Sequence, residues 1–577
     1  MKRLERDILL RLREVSKREP LESAISLHQF YGIDIIPFAV ELAKVTLMLA
    51  KELEVIEAKK LAETDQLLIE EKPLPLDNLD KNIICADALF IEWPKADAII
   101  GNPPYLGAKK LKPEYGPDYV KKLRRAYPQV PGMADYCVYW FRKTHDHLEK
   151  GSHAGLVGTQ NIRNTYSRIG GLDYILDNGG VITDAIGRQV WSGEAKVHVS
   201  IVNWVKDGAR PATARLAIQR GDLVTSPWET YELDKINSAL SPGIDVSRAC
   251  ALKTNEKPQR CFNGQMIGHQ AFLLRQEQRA EMVRRDPLTR EVTFPYLNGI
   301  TALTGADLDR YVIDFEQRTR FEAEKYREAF GWVTEHVLPD RKRKAEEGKD
   351  AEGNVRPHHR AFLSRWWQLS FGRPEMLSVI KPLTRYLACA YVTKRPIFIF
   401  VSSQIRPSNL IQVFGFEDDY SFGVLQSLLH WIWFVTKCGK LKGDFRYSAE
   451  SVFDTFPWPQ EPTRGQIKAV AEAAVALRAL RRETMQNLNY SLRDLYRTLE
   501  QPGNNPLREA HARLDTAVRA AYGMAADADP LAFLLELNLT CAAKEKAGER
   551  ITPPGLPLPL NEQKKFVSED CIPAPRL

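Results

Sequence analysis

The residues with the most chemistry in them are Asn102-Pro103-Pro104-Tyr105, which close the apolar run Ala98-Ile99-Ile100-Gly101. The run reads as a buried strand, and the two prolines stop it. Each proline lacks an N–H and fixes its φ, so the loop after the strand is stiff. Asn102 stands before a proline, which holds its own backbone extended. A carboxamide oxygen and the Pro103 carbonyl are then two fixed acceptors at a strand's C-terminal end, where open α/β sheets bind ligands. Tyr105 adds a flat aromatic face. Two adjacent acceptors suit a planar amine or amide. They can hold both hydrogens of an exocyclic amino group and localise its lone pair, which is otherwise delocalised into the ring. Taken alone, the tetrapeptide is equally a proline-terminated strand with a buried tyrosine.

The elements around it decide between these readings. Leu4, Ile8, Leu12 and Val15 recur at helical spacing, so residues 2–17 are expected to form a helix. His28 to Ile35 reads as a short strand that carries Asp34 at its end. Pro37 opens a long helix, reaching to about Lys60. Asn82 to Cys85 is a further strand, closed by Asp87. Strands follow at 96–100, 154–158, 181–186 and 197–205, with helical stretches at 134–148 and 170–177. Strands alternating with helices at this pitch predict a parallel, doubly wound sheet. Right-handed crossovers then place Asp34, Asp87 and Asn102 on one edge of it. A carboxylate after the second strand suits ribose hydroxyls. One at Asp87 suits the amino group of an adenine ring. A nucleoside-bearing cofactor would therefore lie beside Asn102.

The whole chain sets bounds. At 577 residues, 44% apolar and 27% charged, it has the composition of an ordinary globular protein with two to four domains. A net charge of +7 permits a nucleic-acid partner without requiring one. Eight scattered cysteines form no C-x-x-C pair or metal-ligand spacing, which argues against zinc and for a reducing compartment, the cytoplasm. The apolar stretch around Val424 to Val435 is too short to span a bilayer, so no membrane partner is expected.

The ordered set GIDI, CADAL and IIGNPPY, over residues 1–206, resembles the motifs of gamma-class adenine-N6 DNA methyltransferases that use S-adenosylmethionine. Val190 to Trp204 is similar to a late motif of their large single-chain members, and Leu441 to Pro459 to the end of the target-recognition region in those proteins. The resemblance implies a Rossmann-like methyltransferase sheet. It implies that Asp34 and Ile35 hold the cofactor ribose side, Asp87 and Ala88 the adenine side, and that Asn102 also borders the cofactor. Asn102, Pro103, Pro104 and Tyr105 would be catalytic. Tyr105 and Trp191 would hold a flipped adenine, which must leave the duplex to be reached. No metal is implied.

One family feature is missing. The Gly-rich turn expected on a first strand, before the first helix, is absent from residues 1–577. The expectation is a chain that starts inside the domain. Its first strand would be lost to a misassigned start or a truncation, or supplied by another chain. Glu70-Glu71-Lys72 has the E-x-K form of a nuclease site but stands in a Pro-rich loop, and reads as an ordinary loop.

Beyond the catalytic domain at 1–206, residues 207–460 read as an α+β target-recognition region, 461–551 as a helical module, and 552–577 as a flexible Pro-rich tail. Arg341 to Lys344, Arg365 to Trp367, and Lys437, Lys440, Lys442 and Arg446 are basic sets that could meet phosphate. Gln404, Arg406 and Asn409 could read base edges. Phe456-Pro457-Trp458-Pro459 reads as a linker. The function expected is site-specific adenine methylation of double-stranded DNA in a modification or restriction–modification system, with a cognate nuclease or an upstream fragment as further partner. The alternatives are an impaired remnant that only binds DNA or a partner, and a methyltransferase for RNA adenine or protein glutamine.

Overall fold

The structure, a computed structural model, describes residues 25–65, 78–191, 197–209, 211–299, 301–304, 308–347, 357–441 and 444–575. The helix expected at 2–17, Glu70 to Lys72 and Lys442 lie outside the described residues. The chain divides into two units, Met1–Asp245 and Val246–Leu577.

In the first unit, β1 (Gly32–Asp34) and β2 (Ile83–Cys85) pair in parallel, with Asp34 opposite Cys85. The helix Pro37–Asp65 connects them. A six-stranded sheet contains β3 (Ala98–Gly101), β4 (His153–Thr159), β5 (Gly180–Val190), β6 (His198–Lys206), β7 (Ala214–Gln219) and β8 (Trp228–Leu233) in the order β3-β4-β6-β5-β7-β8. The last two strands lie beyond residue 206.

The sheet is mixed, which corrects the expectation of a parallel one. β3 runs parallel to β4, and β5 to β7, but β6 lies antiparallel between β4 and β5. The reason is the short connection from Val190 to His198: a link of that length can close a hairpin but not a crossover. Because β6 opposes both neighbours, β3, β4 and β5 point the same way, and their C-terminal ends share one edge. The core beneath them includes Leu156, Leu172, Ile182 and Val202, with Phe141 stacked on Trp204 at 5.8 Å.

β3 is also not buried as expected. Ile100 is 87% exposed, and only Ile99 packs against the core. Among the described residues β3 pairs with β4 alone, and β1 with β2 alone. On the helix Pro37–Asp65, Phe38, Leu42, Val45, Leu49 and Leu53 are exposed as well.

The second unit holds three small sheets. One is β9 (Cys261–Asn263), β13 (Arg385–Ala390), β15 (Ile399–Ser402) and β17 (Ile411–Phe414), all antiparallel. Another is β10 (Leu273–Arg275), β11 (Thr293–Leu297), β12 (Arg310–Ile313) and β16 (Arg406–Pro407). The third is β14 (Val392–Thr393), β18 (Gly439–Leu441) and β19 (Asp444–Arg446). Helices Arg464–Leu488 and Pro506–Ala521 pack against Asp419–Gln426. A Cβ on Gly423 would come within 2.6 Å of Val470 Cγ1, so this approach needs glycine.

Two local expectations are corrected here. Phe456 to Pro459 is no linker. Phe456 and Trp458 are buried, and the carbonyls freed by the prolines are taken by Asn255 Nδ2 (2.8 Å, Phe456) and the Tyr522 hydroxyl (2.7 Å, Pro457). The tail is docked as well. Ile572 bridges to Val401, and its N–H and carbonyl bond to Phe400 and Ser402 at 2.9 and 3.0 Å. Among the described residues no helix is long and apolar enough to cross a membrane.

His511, on Pro506–Ala521, is buried neutral. Its Nε2 meets the Tyr496 hydroxyl at 2.8 Å and its Nδ1 has no partner. Burial, helped by Arg481 and Arg395, pushes its pKa down to about 2. Unfolding therefore adds a proton to it below its ordinary value of 6.5. Its contribution to stability is full above 6.5 and falls as pH drops, by up to about 1.4 kcal/mol per pH unit. Chemical denaturation of wild type and His511→Gln should give a stability difference that is constant above pH 6.5 and shifts against wild type below it. Parallel pH curves would refute this account of His511.

Candidate active site

The loop after β3 is built as its composition requires. Pro103 is buried, Asn102 and Pro104 are exposed, and Tyr105 is half-buried. The Tyr105 hydroxyl donates to Asn102 Oδ1 in a short hydrogen bond. This orients the amide, because a donor at that atom marks it as the oxygen. Burial, reinforced by Cys137 and opposed by the Asn102 bond, pushes the Tyr105 pKa up to about 12. The phenol therefore stays protonated and donating. Oδ1 keeps a second lone pair.

Asp34 ends β1 and is exposed. Its Oδ1 accepts from Ile36 N at 2.8 Å, which leaves Oδ2 without a recorded bond among the described residues. Ile35 beside it is 61% exposed. Asp87 follows β2. Its Oδ1 accepts from Leu89 N at 3.0 Å and its Oδ2 from the Tyr119 hydroxyl at 2.8 Å. The Ala88 carbonyl accepts from Trp93 Nε1 at 2.8 Å and Lys143 Nζ at 2.7 Å, which pins the backbone there.

Hydrogen bonds connect these pieces. The Asp34 carbonyl accepts from Ala86 N at 2.9 Å. From Asp87 the path runs through the Tyr119 and Tyr136 hydroxyls, and Tyr136 N donates to the Leu106 carbonyl at 2.8 Å, one residue past Tyr105. Asp34, Asp87 and the Asn102–Tyr105 loop thus belong to one bonded framework. Trp191 follows β5, half-buried, with its N–H on the Val197 carbonyl at 3.0 Å. The C-terminal ends of β5 and β3 share an edge, so Trp191 lies on the same side of the sheet as Asn102. Residues 192–196 of that motif lie outside the described residues.

Sequence reasoning missed the supports. Tyr115 and Tyr119 stack at 4.9 Å in Ala108–Ala126, a helical segment broken at Gly116 (φ +81°). The spacing of Tyr115 and Tyr119, four apart, was the available signal. Asp135 is buried, and its Oδ2 accepts from Thr159 Oγ1 (2.7 Å) and Asn161 Nδ2 (3.2 Å). Its N–H donates to Ser167 Oγ at 2.9 Å, and a Cβ on Gly107 would lie 3.9 Å from its Oδ1. It thus ties the segment before Tyr136 to the end of β4 and to Ser167. Nothing in the local sequence marks it.

In the second unit the basic sets divide. Arg341 is buried with its Nη2 on Ser370 Oγ, while Arg343 and Lys344 pair with Asp340. Arg406 is 2% exposed and bonded to Glu316 at 2.7 Å, so it cannot reach a base edge as expected.

With this geometry in view, comparisons with known proteins are informative. Residues 1–215 match the family model "MmeI, DNA-methyltransferase domain", and residues 251–460 match "MmeI, target recognition domain". The chain is therefore a DNA-methyltransferase domain followed by a target recognition domain. The two models together match well over half of it, and the chain belongs to the MmeI family of DNA methyltransferases. DNA methyltransferase A of Bacillus subtilis (strain 168) is 24% identical over 555 residues, covering 93% of this chain. This chain spans 59% of the length of that curated relative. The solved structure of the type IIL restriction-modification enzyme MmeI in complex with DNA shares the fold, with a TM-score of 0.70 at 22% identity. That match covers 94% of this chain and 71% of the other.

Proposed function

We propose that this chain transfers the methyl group of S-adenosylmethionine to N6 of an adenine flipped out of duplex DNA, within a modification or restriction–modification system. The observation that carries the proposal is the Asn102-Pro103 acceptor pair, bonded through Leu106, Tyr136 and Tyr119 to the Asp87 carboxylate.

The residues present fit the cofactor. Asp34 offers a free carboxylate oxygen for ribose hydroxyls, beside the exposed Ile35. Asp87, clamped by Leu89 N and Tyr119, keeps lone pairs for an adenine amino group. Bound there, S-adenosylmethionine supplies an electrophilic methyl on sulfur. The rest falls to the chain. Asn102 Oδ1, through its second lone pair, and the Pro103 carbonyl accept the two N6 hydrogens of the target adenine. That localises the nitrogen lone pair and aims it. Tyr105 stacks on the ring from one side, and Trp191 helps retain it. No covalent intermediate with the protein is needed, so catalysis is positioning with lone-pair localisation. The second unit would supply DNA contacts and site choice.

Isothermal titration with S-adenosylmethionine, beside methyl incorporation into duplex DNA, tests this reading. Asp87→Ala should weaken cofactor binding about 10- to 100-fold, the worth of a charged hydrogen bond. A wild-type chain that binds no cofactor, or an Asp87→Ala variant with unchanged affinity, would sink the assignment.

A further inference from the structure

A cleft of about 330 Å³ opens in the second unit between β11 and the docked tail. Its walls carry Arg279, Arg290, Lys381 and Arg406, with Ser403 and Gln404, and among the described residues no carboxylate lines it. The charge is only partly balanced from behind. Glu316 is shared by Lys381 (2.8 Å) and Arg406 (2.7 Å), and Asp314 stands 3.8 Å from Arg406 Nε. Burial raises the Asp314 pKa, opposed by Arg406 and the Gln265 bond. Arg279 bonds only Thr293 Oγ1, at 3.1 Å, and lies over the Tyr311 ring at 4.4 Å. Among the described residues neither Arg279 nor Arg290 has an ion-pair partner.

The floor adds an independent sign. Arg406 is 2% exposed, yet among the described residues its Nε has no hydrogen-bond partner, only the Asp314 carboxylate 3.8 Å away. A buried donor left unpaired costs about 1–3 kcal/mol, so such groups are normally satisfied. Its plane is fixed by the Phe294 ring, 3.9 Å away. A fixed guanidinium in the floor, two arginines without an ion-pair partner among the described residues, and hydroxyl and amide groups around a small open cleft match a tetrahedral oxyanion.

We infer that this cleft is a phosphodiester site, which holds one backbone phosphate of the DNA through Arg279, Arg290 and Lys381, with Arg406 as a fixed charge in its floor. The inference rests on the proposed DNA substrate and deepens it. The cleft positions the duplex and does not read its sequence. Arg406 is too buried to reach a base, and Gln404 serves as a donor to phosphate oxygen.

Arg290 is exposed, so Arg290→Gln removes one charge without touching the core. Fluorescence anisotropy with a panel of unrelated short duplexes, between about 50 and 200 mM salt, gives affinity and its salt dependence. Arg290→Gln should bind every duplex about three- to fivefold more weakly at the low-salt end, and its log–log salt slope should be shallower by about 0.9. Lys381→Gln, at the same cleft and also exposed, should act in the same direction. Unchanged affinity and slope in both variants would overturn the inference and leave the proposed function standing. So would a loss confined to part of the panel, which marks a base contact. A wild-type chain that binds no duplex would overturn both.

Discussion

Replacing Asn102 with alanine is expected to lower methyl transfer to DNA by about 10²–10³-fold, the usual cost of one preorganised hydrogen-bonding group at a reacting centre. The side chain is exposed at the end of β3 and holds only the Tyr105 hydroxyl, so its removal leaves the fold in place. On the proposed mechanism its loss removes one of two acceptors for the target amino group, so the nitrogen lone pair stays delocalised into the ring and the barrier rises although both substrates still bind. Tyr105→Phe separates the two roles of that pair. It keeps the stacking face and frees Asn102 Oδ1, so it should cost much less than Asn102→Ala. Methyl incorporation from labelled cofactor, measured beside cofactor affinity, checks both. An Asn102→Ala enzyme with near-wild-type turnover would remove this residue from the chemistry. A variant that lost cofactor affinity to the same extent as turnover would reassign it to binding.

The second large effect concerns stability. Asp419 is buried and accepts from Arg385 Nη2 at 2.8 Å, Arg478 Nη2 at 2.5 Å, Ser568 Oγ at 2.9 Å and Ser568 N at 3.1 Å. Asp570 completes the cluster, 2.8 Å from Arg478 Nε and 3.3 Å from Arg385 Nη1. Two cations and two anions thus balance out of water. Arg385 also lies over Phe400 at 3.5 Å, and Arg478 over Phe422 at 4.5 Å. Asp419→Ala leaves two buried guanidiniums with a single carboxylate, and should destabilise the second unit by about 3–5 kcal/mol in denaturant titration. It should also loosen the tail, since Ser568 loses both bonds to Asp419 and keeps only its hydroxyl contacts with Arg385, Arg478 and Asp570. Limited proteolysis near residue 568 reads that loosening. Asp419→Ala with wild-type stability would show that the cluster is not what holds the tail.

The cost is this large because of burial, and burial is what a sequence conceals. Arg385, Asp419, Arg478 and Asp570 read as ordinary charged residues in four separate stretches. Arg385 and Asp570 are 185 positions apart. The tail was expected to be flexible because of its prolines. Three of its residues, Ser568, Asp570 and Ile572, dock it through a buried salt cluster and a strand edge. The same failure made Arg406 a base reader in the sequence and a cleft floor in the structure.

Local chemistry was legible because the chain carries it wherever it folds. Two prolines after an apolar run stiffen the Asn102–Tyr105 loop regardless of neighbours. Strand periodicity placed Asp34, Asp87 and Asn102 at strand ends from residue types alone. Only the tertiary structure decided that β6 runs antiparallel between β4 and β5, that Tyr119 clamps Asp87, that Asp135 is held by Thr159, Asn161 and Ser167, and that four cations meet at one cleft. Each of these depends on segments far apart in the chain meeting in space. Backbone stiffness and side-chain periodicity are short-range properties written in neighbouring residues. Pairing, burial and charge compensation are set by whatever the fold brings alongside, and no short window of this sequence contains that.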